Sequence, residues 1–528
     1  MKTASLNVLR TGALALTVLL AGSALASCSS GGSNAAGDKV IFALKEDPGC
    51  MDPQQVTLTT ALNVSRQLTD SLLDQDPATG ALKPWLAKTW EANNDLTQFT
   101  FTLRDGVTFS DETPLNADVV KANFDALFKL GAKASLASQL LAGYTGTDVV
   151  DPTTIKVNFS APNAQFLQGT STTTLSMLGN ASTKATPEER CQSIVGSGPF
   201  TLDSYTQNDS VELSRRAGYN WGSELRKHTG EALVQNISFP IIAENSVRTG
   251  GLASGEFDVI QDVPYADEAR FKTDEFHLYA AANPGIPNSL FVNTTKGVLG
   301  DAVVRQAMQI GVNRDEINTL TGSTSGKPPT SALTSTTNGY VSQADAMKYN
   351  PDAAKAMLES DGWAMGADGI YAKGGAKLSA TVTAFYAQDV LEAAQIQLKK
   401  IGIDLKLKMV TAGDFFGAVA SHDYELLGAG LTRTDPDVLR VALSKESSSA
   451  WGVMDNPELE SMLEEQSRTG DAAARQVIVA KIQALVIKEA YIIPTLETVQ
   501  LHGSTNKVSG IVFDSASRVN LYDMAIAK

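Results

Sequence analysis

The chain has 528 residues, of which 43% are hydrophobic and 19% are charged, with three cysteines and four histidines. This length predicts two or three domains with a large buried core and excludes a small scaffold held together by disulfides. The formal net charge of −15 counts against nucleic acid as a partner, because an acidic protein repels a polyanion, and we expect none.

The first 27 residues have the pattern of an export signal peptide. Lys2 and Arg10 precede a short apolar run at 13–20, and small residues follow it. The apolar run is too short to span a membrane. The tetrapeptide Leu25-Ala26-Ser27-Cys28 resembles a bacterial lipobox, in which cleavage before the cysteine leaves a lipidated first residue. The alternative is ordinary cleavage near Ala26 with Cys28 as a free thiol.

Residues 28–37 are rich in Gly, Ser and Ala, which predicts a flexible tether between a lipid anchor and a globular body. We therefore expect a lipoprotein on the outer face of the cytoplasmic membrane. Outside the cytosol, the two remaining cysteines often pair. We expect a disulfide between Cys50 and Cys191; the alternative is two unpaired buried cysteines.

Along the body, strand patterns alternate with amphipathic helix patterns of 10–18 residues, which indicates an α/β protein. The expected strands are at 39–44, 98–103, 154–159, 198–205, 210–214, 378–385, 403–409 and 423–428. The expected helices are at 58–73, 116–130, 301–311, 352–360, 390–400 and 471–489. Asn116 is the expected N-cap of the second of these helices.

Catalytic and metal-binding motifs are weak. Ser504 and Lys507 have a Ser-x-x-Lys spacing, but they lie in a turn pattern between strands and without the companion motifs of penicillin-recognising enzymes. The segment 322–327 imitates a phosphate-binding loop, but it is one residue short and is followed by two prolines. The four histidines are dispersed, so we expect no metal site and no cofactor. A secreted glycoside hydrolase with paired carboxylates is the alternative of a different class.

Five sequence blocks resemble the extracellular solute-binding proteins of peptide and nickel ABC importers, and they follow the order of that family across nearly the whole chain. The blocks are Leu86 to Val119 with Leu103-Arg104-Asp105-Gly106-Val107; Gly196-Ser197-Gly198-Pro199-Phe200 with Tyr219 and Trp221; Ser254-Gly255-Glu256-Phe257-Asp258; Asn293 to Arg314; and Tyr349-Asn350-Pro351 with Gly362-Trp363.

The resemblance implies an α/β fold of two lobes, of the type II periplasmic-binding-protein class that contains the large peptide-binding members. The first lobe would comprise 38–287, with an extra subdomain at about 70–190, and would be completed by 498–528. The second lobe would comprise 288–497. Two chain crossings between lobes would act as a hinge.

We predict that the ligand contacts lie in loops that follow strands, because strand ends present polar groups to a cleft. In the first lobe these are Glu46, Asp47 and Gly49. In the second lobe the segment 428–436 follows the expected strand at 423–428 and contains Thr432, Arg433 and Asp435.

In peptide-binding members, the corresponding second-lobe loop resembles a Gly-Trp pair, an acidic residue that pairs with the peptide ammonium, and an Asp-Pro. Asp435-Pro436 matches the Asp-Pro, but Thr432 stands in place of the acidic residue and Ala429 in place of the Trp. This departure counts against a peptide with a free amino terminus. Arg433 instead offers donors that suit a carboxylate. Its alternative role is an ion pair with Asp435 or Asp437, and the alternative role of Asp435 is to cap a turn.

Trp451 is a further candidate, either as a ring that stacks on the ligand or as a core residue. The resemblance implies a binding protein without catalytic activity that captures a peptide-like or other small polar solute and delivers it to an ABC permease. Metal chelates, siderophore-like molecules and sugars are alternative solutes, since the fold alone does not decide between them. We expect a monomer.

Overall fold

The computed structural model describes residues 39–447 and 450–527, apart from the side chain of Ala132. The expected signal peptide, the tether and the lipid-attachment residue Cys28 lie outside the described residues. Everything below concerns the described part of the chain.

A seven-stranded mixed sheet organises the first lobe. Strand Lys39–Ala43 lies near its centre and pairs in parallel with Asn236–Pro240 and Val259–Gln261, which buries Val40 and Phe42 completely or almost completely. In spatial order the strands are Phe276–Ala282, Val499–Thr505, Val259–Gln261, Lys39–Ala43, Asn236–Pro240, Ser210–Arg215 and Phe200–Thr206. Strand Val499–Thr505 pairs antiparallel with both of its neighbours, which brings the end of the chain back into this sheet.

A separate four-stranded antiparallel sheet follows the first strand in sequence. Its strands, in spatial order, are Ala87–Ala92, Gln98–Leu103, Thr154–Phe159 and Tyr144–Asp151. The alternation in Gln98–Leu103 directs Phe99, Phe101 and Leu103 into the core. Helix Ala117–Leu130 packs on this sheet and begins as expected at Asn116, whose side chain accepts a hydrogen bond from the backbone N–H of Val119 at 3.0 Å.

A five-stranded sheet organises the second lobe. Its strands, in spatial order, are Asp404–Met409, Ser379–Ala384, Leu426–Thr432, Gly285–Val292 and Ile492–Leu496. The strand Gly285–Val292 is buried along its whole length. Helices Ala302–Gly311 and Gln388–Lys400 pack with this sheet around one core that includes Leu290, Val382 and Leu398.

The two large sheets are connected by two short crossings. The chain leaves the first sheet at Ala282 and enters the second at Gly285, and it leaves the second at Leu496 and enters the first at Val499. The two crossings lie side by side: the backbone N–H of Asn283 in the first donates to the carbonyl of Thr498 in the second at 2.9 Å. Two adjacent short segments between two separate cores are the geometry of a hinge.

The remaining α-helices are Thr59–Leu68, Ser135–Leu140, Phe166–Gly169, Asn180–Lys184, Pro187–Gln192, Asn245–Ser254, Arg314–Thr321, Pro351–Ser360, Ala412–Ser421, Val438–Leu443, Pro457–Arg468 and Ala472–Lys488. The 3-10 helices are Gly131–Ala134, Thr173–Leu175, Tyr265–Phe271 and Gly297–Gly300. The short strands are Leu73–Gln75, Leu82–Pro84, Ala364–Met365, Tyr371–Lys373, Ala376–Lys377, Val508–Ser509, Val512–Phe513, Val519–Asn520 and Ala525–Ile526. No helix among the residues described is long and apolar enough to cross a bilayer.

Two predicted elements differ from the structure. The helix expected at 58–73 ends at Leu68, where Thr69 is extended and the leucines that follow enter strand Leu73–Gln75. The strand expected at 423–428 is Leu426–Thr432, because pairing with Gly285–Val292 continues through Gly428, Ala429, Leu431 and Thr432. The segment 428–436 is therefore mostly strand rather than loop, and this prediction was wrong.

Candidate functional site

A cavity of about 330 Å³ lies between the two lobes beside the crossings. The first lobe contributes Asp262 and Tyr265, and the second lobe contributes Tyr386 and Asp389. An adjoining compartment of about 110 Å³ shares Asn288, Tyr386 and Thr498 with the larger one and is further lined by Asn283, Ile286, Pro287, Thr334, Gly430, Leu431 and Thr432. A space bounded by both lobes next to a hinge is where a closing protein can enclose a solute.

Tyr386 fixes the second-lobe wall of this cavity. It follows strand Ser379–Ala384, and its hydroxyl accepts a hydrogen bond from the backbone N–H of Gly430 at 2.7 Å and donates to Oδ1 of Asn288 at 3.1 Å. Burial raises the pKa of the Tyr386 hydroxyl to about 12. The tyrosine therefore remains a neutral hydrogen-bonding group that joins three segments of the second lobe.

Tyr265 has the corresponding position in the first lobe. Its hydroxyl donates to the carbonyl of Val499 at 2.9 Å and accepts from the backbone N–H of the same residue at 3.2 Å. Burial raises the pKa of Tyr265 to about 12, and the carboxylates of Asp262, Glu268 and Asp389 contribute to the rise. Carboxylates from both lobes thus act on the same hydroxyl at the crossing.

The first-lobe candidates are engaged within their own lobe. Asp47 accepts hydrogen bonds from the backbone N–H of Gly49 and from the hydroxyl of Tyr205, both at 2.5 Å, and from the backbone N–H of Asn208. Glu46 accepts from the hydroxyl of Thr60 at 3.0 Å. None of Glu46, Asp47 and Gly49 is among the residues that line the two compartments, and Asp47 uses its oxygens to hold the loop in place.

The second-lobe candidates separate into two groups. Thr432 lines the smaller compartment. Asp435 is not among the residues that line either compartment. Its oxygens form a bidentate ion pair with Arg475 at 2.5 and 2.9 Å, and one of them also accepts from the backbone N–H of Asp437 at 2.8 Å. Asp435 thus holds the turn against helix Ala472–Lys488, which agrees with its alternative role in a turn, and its role as a ligand contact stays a prediction.

Arg433 follows Thr432 and reaches the other lobe. Its Nη2 donates to the side-chain oxygen of Gln139, and its backbone N–H donates to the carbonyl of Pro284 at 3.1 Å. The alternative ion pairs with Asp435 and Asp437 do not form, since Asp435 pairs with Arg475, and Asp437 pairs with Arg440 at 2.7 Å. Burial lowers the pKa of Arg433 to about 10, so the guanidinium remains charged at neutral pH.

Trp451 is a core residue and is 7% exposed. Its ring centroid lies 5.3 Å from that of Phe291 and 5.5 Å from that of Phe415, and its carbonyl accepts from the hydroxyl of Tyr424 at 2.9 Å. This packing agrees with the alternative role of Trp451 as a core residue, and its contact with a ligand stays a prediction. Cys50 and Cys191 are joined by a disulfide that ties the loop after the first strand to helix Pro187–Gln192.

A second set of contacts between the lobes surrounds Glu268, which is 1% exposed. The hydroxyls of Ser323, Thr324 and Ser325 donate to its carboxylate at 2.9, 2.7 and 2.8 Å, and the backbone N–H of Thr324 donates at 2.8 Å. Lys272 adds an ion pair at 2.8 Å. Burial alone would raise the pKa of Glu268, but these donors outweigh it and lower the pKa to about 2. The segment that imitates a phosphate loop in sequence thus binds a carboxylate of the opposite lobe.

Sequence reasoning missed Asp262, Tyr265, Tyr386 and Asp389. Asp262 directly follows strand Val259–Gln261, and Tyr386 and Asp389 closely follow strand Ser379–Ala384. The rule that selected Glu46 and Asp47 therefore applied equally to these residues. Within the described ranges, no group of three or more His, Cys, Asp or Glu side chains is arranged to hold a metal ion.

The sequence and the fold of this chain are similar to those of known proteins. The profile of the bacterial extracellular solute-binding proteins, family 5 Middle, matches residues 81–451. The chain belongs to this family. Its members are the solute-binding proteins of ABC importers, and the relatives found here are substrate-binding proteins rather than enzymes.

Three relatives illustrate the family. The glutathione-binding protein GsiB of Escherichia coli O1:K1 is 26% identical over 409 residues, which cover 76% of this chain and 74% of that protein. The structure of NikA from Brucella suis in complex with Fe(III)-EDTA has a TM-score of 0.80 at 21% identity and covers 92% of this chain and 99% of that one. The dipeptide-binding protein from Pseudoalteromonas sp. SM9913, in complex with Met-Leu, has a TM-score of 0.76 at 21% identity and covers 92% and 100%. These matches confirm the predicted family and the two-lobed α/β fold.

Proposed function

We propose that this protein is a lipid-anchored receptor that closes its two lobes around a peptide-like or other small polar solute and delivers the solute to an ABC permease. The observation that carries the proposal is the cavity beside the crossings, which is bounded by side chains of both lobes. A ligand that contacts both lobes favours the closed state by its difference in affinity for the closed and open states.

Arg433 supports a solute that carries a carboxylate. Its guanidinium is positively charged, has a neutral amide as its side-chain partner and has no carboxylate within 4 Å among the described residues. Glutathione, Met-Leu and EDTA, which are named for the relatives, all carry carboxylates. A carboxylated solute would give Arg433 the planar anionic partner that suits a guanidinium.

A metal chelate is the second candidate solute, because a relative of the same fold is complexed with Fe(III)-EDTA. The absence of a three-ligand cluster from the described residues means that the metal would arrive with its chelator. Chemical conversion of the solute forms no part of the proposal, and turnover of candidate glycosides would reveal the alternative of a glycoside hydrolase.

The proposed lipid anchor rests on the sequence around Cys28. We propose a monomer that contacts the membrane through this lipid, which is sufficient for capturing and delivering a solute. Native mass spectrometry of the protein from its own host tests both parts. We expect a mature chain that begins with lipidated Cys28 and releases an unmodified small molecule on denaturation. A chain cleaved near Ala26 without lipid would contradict the anchor, and a repeatedly empty protein that binds none of the family's solute classes would contradict the receptor.

A further inference from the structure

We propose that a second cavity, of about 510 Å³ and formed by the first lobe alone, binds a phosphate group. This first-lobe cavity is lined by residues of two segments, 104–105 and 220–229. None of its residues lines either compartment beside the crossings, and no described residue of the second lobe lines it. The site is therefore independent of the solute that the two lobes enclose.

The side chain of Arg226 points to a ligand in the first-lobe cavity. It lines this cavity and is only 6% exposed. Its Nη2 donates to Oδ2 of Asp74 at 3.2 Å, but its Nε and Nη1 are buried and have no hydrogen-bond partner among the described residues. Leaving charged donors buried and unpaired costs free energy, so such donors are normally paired by the protein, by water or by a ligand. This guanidinium therefore lacks acceptors that a bound group would supply.

Two further cationic side chains of the first-lobe cavity have no carboxylate partner. Arg104 donates from Nη1 to the carbonyls of Trp221 and Gly222 at 2.9 and 3.4 Å, and its Nε and Nη2 donate to no described residue. Lys227 is exposed, and its ammonium forms no ion pair or hydrogen bond within the described ranges. Together with Arg226, three cationic side chains on one cavity thus have N–H groups left for a ligand.

Each acidic side chain at the first-lobe cavity already has a basic partner. The pairs are Asp105 with Lys88 at 3.3 Å, Glu224 with Lys83 at 3.1 Å, Asp74 with Arg226 at 3.2 Å and Asp523 with His228 at 2.8 Å. Arg104 and Lys227 are left without a counter-ion, so the cavity has a surplus of positive charge whether or not His228 is protonated. Water would pair the free donors but would leave this charge unbalanced, whereas an anion does both.

The loop 220–229 is held in place from two sides. Near its start, Trp221 is buried, and its Nε1 donates to Oδ2 of Asp70 at 3.0 Å. Near its end, the backbone N–H of Lys227 donates to Oδ1 of Asp523 at 3.0 Å. The cationic residues of the loop are therefore positioned before a ligand arrives, which reduces the entropic cost of binding.

A phosphate group fits these donors better than a carboxylate does. Phosphate presents acceptor oxygens in several directions, whereas the two oxygens of a carboxylate lie in one plane. The donors of the first-lobe cavity come from three side chains on two segments, and arginine and lysine are the side chains that commonly bind phosphate. The volume leaves room for a group attached to the phosphate. Inorganic phosphate and a phospholipid headgroup therefore share the chemistry that the site recognises.

Two probes test the site and distinguish these sources. They are inorganic phosphate and glycerophosphoglycerol, the water-soluble headgroup of phosphatidylglycerol, and ³¹P NMR line broadening on titration with the full-length protein measures their binding. We expect saturable binding at millimolar concentration or below. Equal or tighter binding of inorganic phosphate assigns the site to free phosphate, and tighter binding of glycerophosphoglycerol assigns it to a lipid headgroup. No saturable binding of either probe, or equally strong competition by acetate at fixed ionic strength, would overturn the inference.

Two variants locate the binding. Lys227→Glu, at an exposed position, should weaken it about tenfold or more, because it reverses a charge of the cavity. Arg226→Lys keeps the charge but removes the unpaired guanidinium donors, and should weaken it about threefold or more. Lys129→Glu is the control, since Lys129 is an exposed lysine of the same lobe outside the cavity, and should change it less than about twofold. Undiminished binding in either cavity variant, or an equal loss in the control, would overturn the assignment.

Discussion

At the scale of single residues, the segment around Arg433 shows how neighbouring charges are given different partners. Asp435 and Asp437 are each committed to an arginine of the same lobe, Arg475 and Arg440. Arg433 is left with the amide of Gln139 in the other lobe. Asp435 and Asp437 thus hold the loop within the second lobe, whereas Arg433 contacts the first lobe.

Arg433→Ala should weaken binding of a carboxylated solute by about 1.5–3 kcal/mol, because it removes a charged hydrogen bond. Calorimetry with the solute that co-purifies with the protein measures this loss. Arg468→Ala is the matched control, since Arg468 is 60% exposed and pairs with Glu464 of its own helix. Unchanged affinity of the Arg433→Ala protein would remove this residue from the binding site.

Glu268→Gln should lower the free energy of unfolding by roughly 2–3 kcal/mol at pH 6, because the folded protein holds the pKa of this carboxyl at about 2, below its usual value near 4.5. A depressed pKa contributes stability above the unfolded value and loses it as the pH falls towards the folded value. The difference between wild type and variant should therefore shrink between pH 4.5 and pH 2.

Denaturant unfolding at several pH values measures this difference, with Glu275→Gln as the control because Glu275 is exposed. A gap between wild type and Glu268→Gln that stayed constant over this pH range would show that the carboxylate does not act through its charge.

At the scale of elements, the strand Gly285–Val292 depends on its first residue. Gly285 has φ of 113°, and a Cβ added there would lie 2.0 Å from the carbonyl oxygen of Leu431 in the paired strand. A residue with a side chain is therefore excluded twice, by its backbone angle and by the close approach. This position also begins the second sheet directly after the first crossing.

Gly285→Ala should destabilise the protein by about 3 kcal/mol, through backbone strain and displacement of the paired strand. Gly250→Ala should have the opposite sign, since Gly250 lies in helix Asn245–Ser254 with open space at its Cβ position, and alanine is the better helix former. Thermal unfolding compares the two variants. Equal stability of Gly285→Ala and wild type would contradict the close approach at this strand.

The sequence predicted individual elements better than their ends. Strand Gln98–Leu103 and helix Ala117–Leu130 were predictable, because the alternation in the strand and the Asn116 cap are local signals. The continuation of strand Leu426–Thr432 was not, because Gly-Ala-Gly has low strand propensity and is held extended by its long-range pairing with Gly285–Val292.

The candidate site was less predictable than the fold, for a related reason. Asp262 and Asp389 are far apart in sequence and line the same cavity only because of the sheet order and the two crossings. The partners of Asp435 and of Glu268 likewise come from distant segments. The family resemblance predicted the architecture, whereas the lining of the cavity had to come from the packing of the two lobes.

At the scale of the whole molecule, the lobes touch at more than one place. Glu268 binds the segment 323–325 of the other lobe, and the hydroxyl of Thr434 donates to the carbonyl of Ser515 at 3.3 Å. Moving such a two-state equilibrium from 1:99 to 99:1 needs about 5.5 kcal/mol of difference between the affinities of the two states. Existing contacts between the lobes reduce what the solute itself must supply.

Small-angle X-ray scattering tests the central claim most directly. The mature protein is stripped of its solute by unfolding and refolding, measured, and measured again after the extracted solute is restored. We expect the radius of gyration to fall when the solute is restored, and the solute to be recovered chemically unchanged. Identical scattering curves in the two states, or recovery of an altered compound, would contradict a receptor that works by closing its lobes.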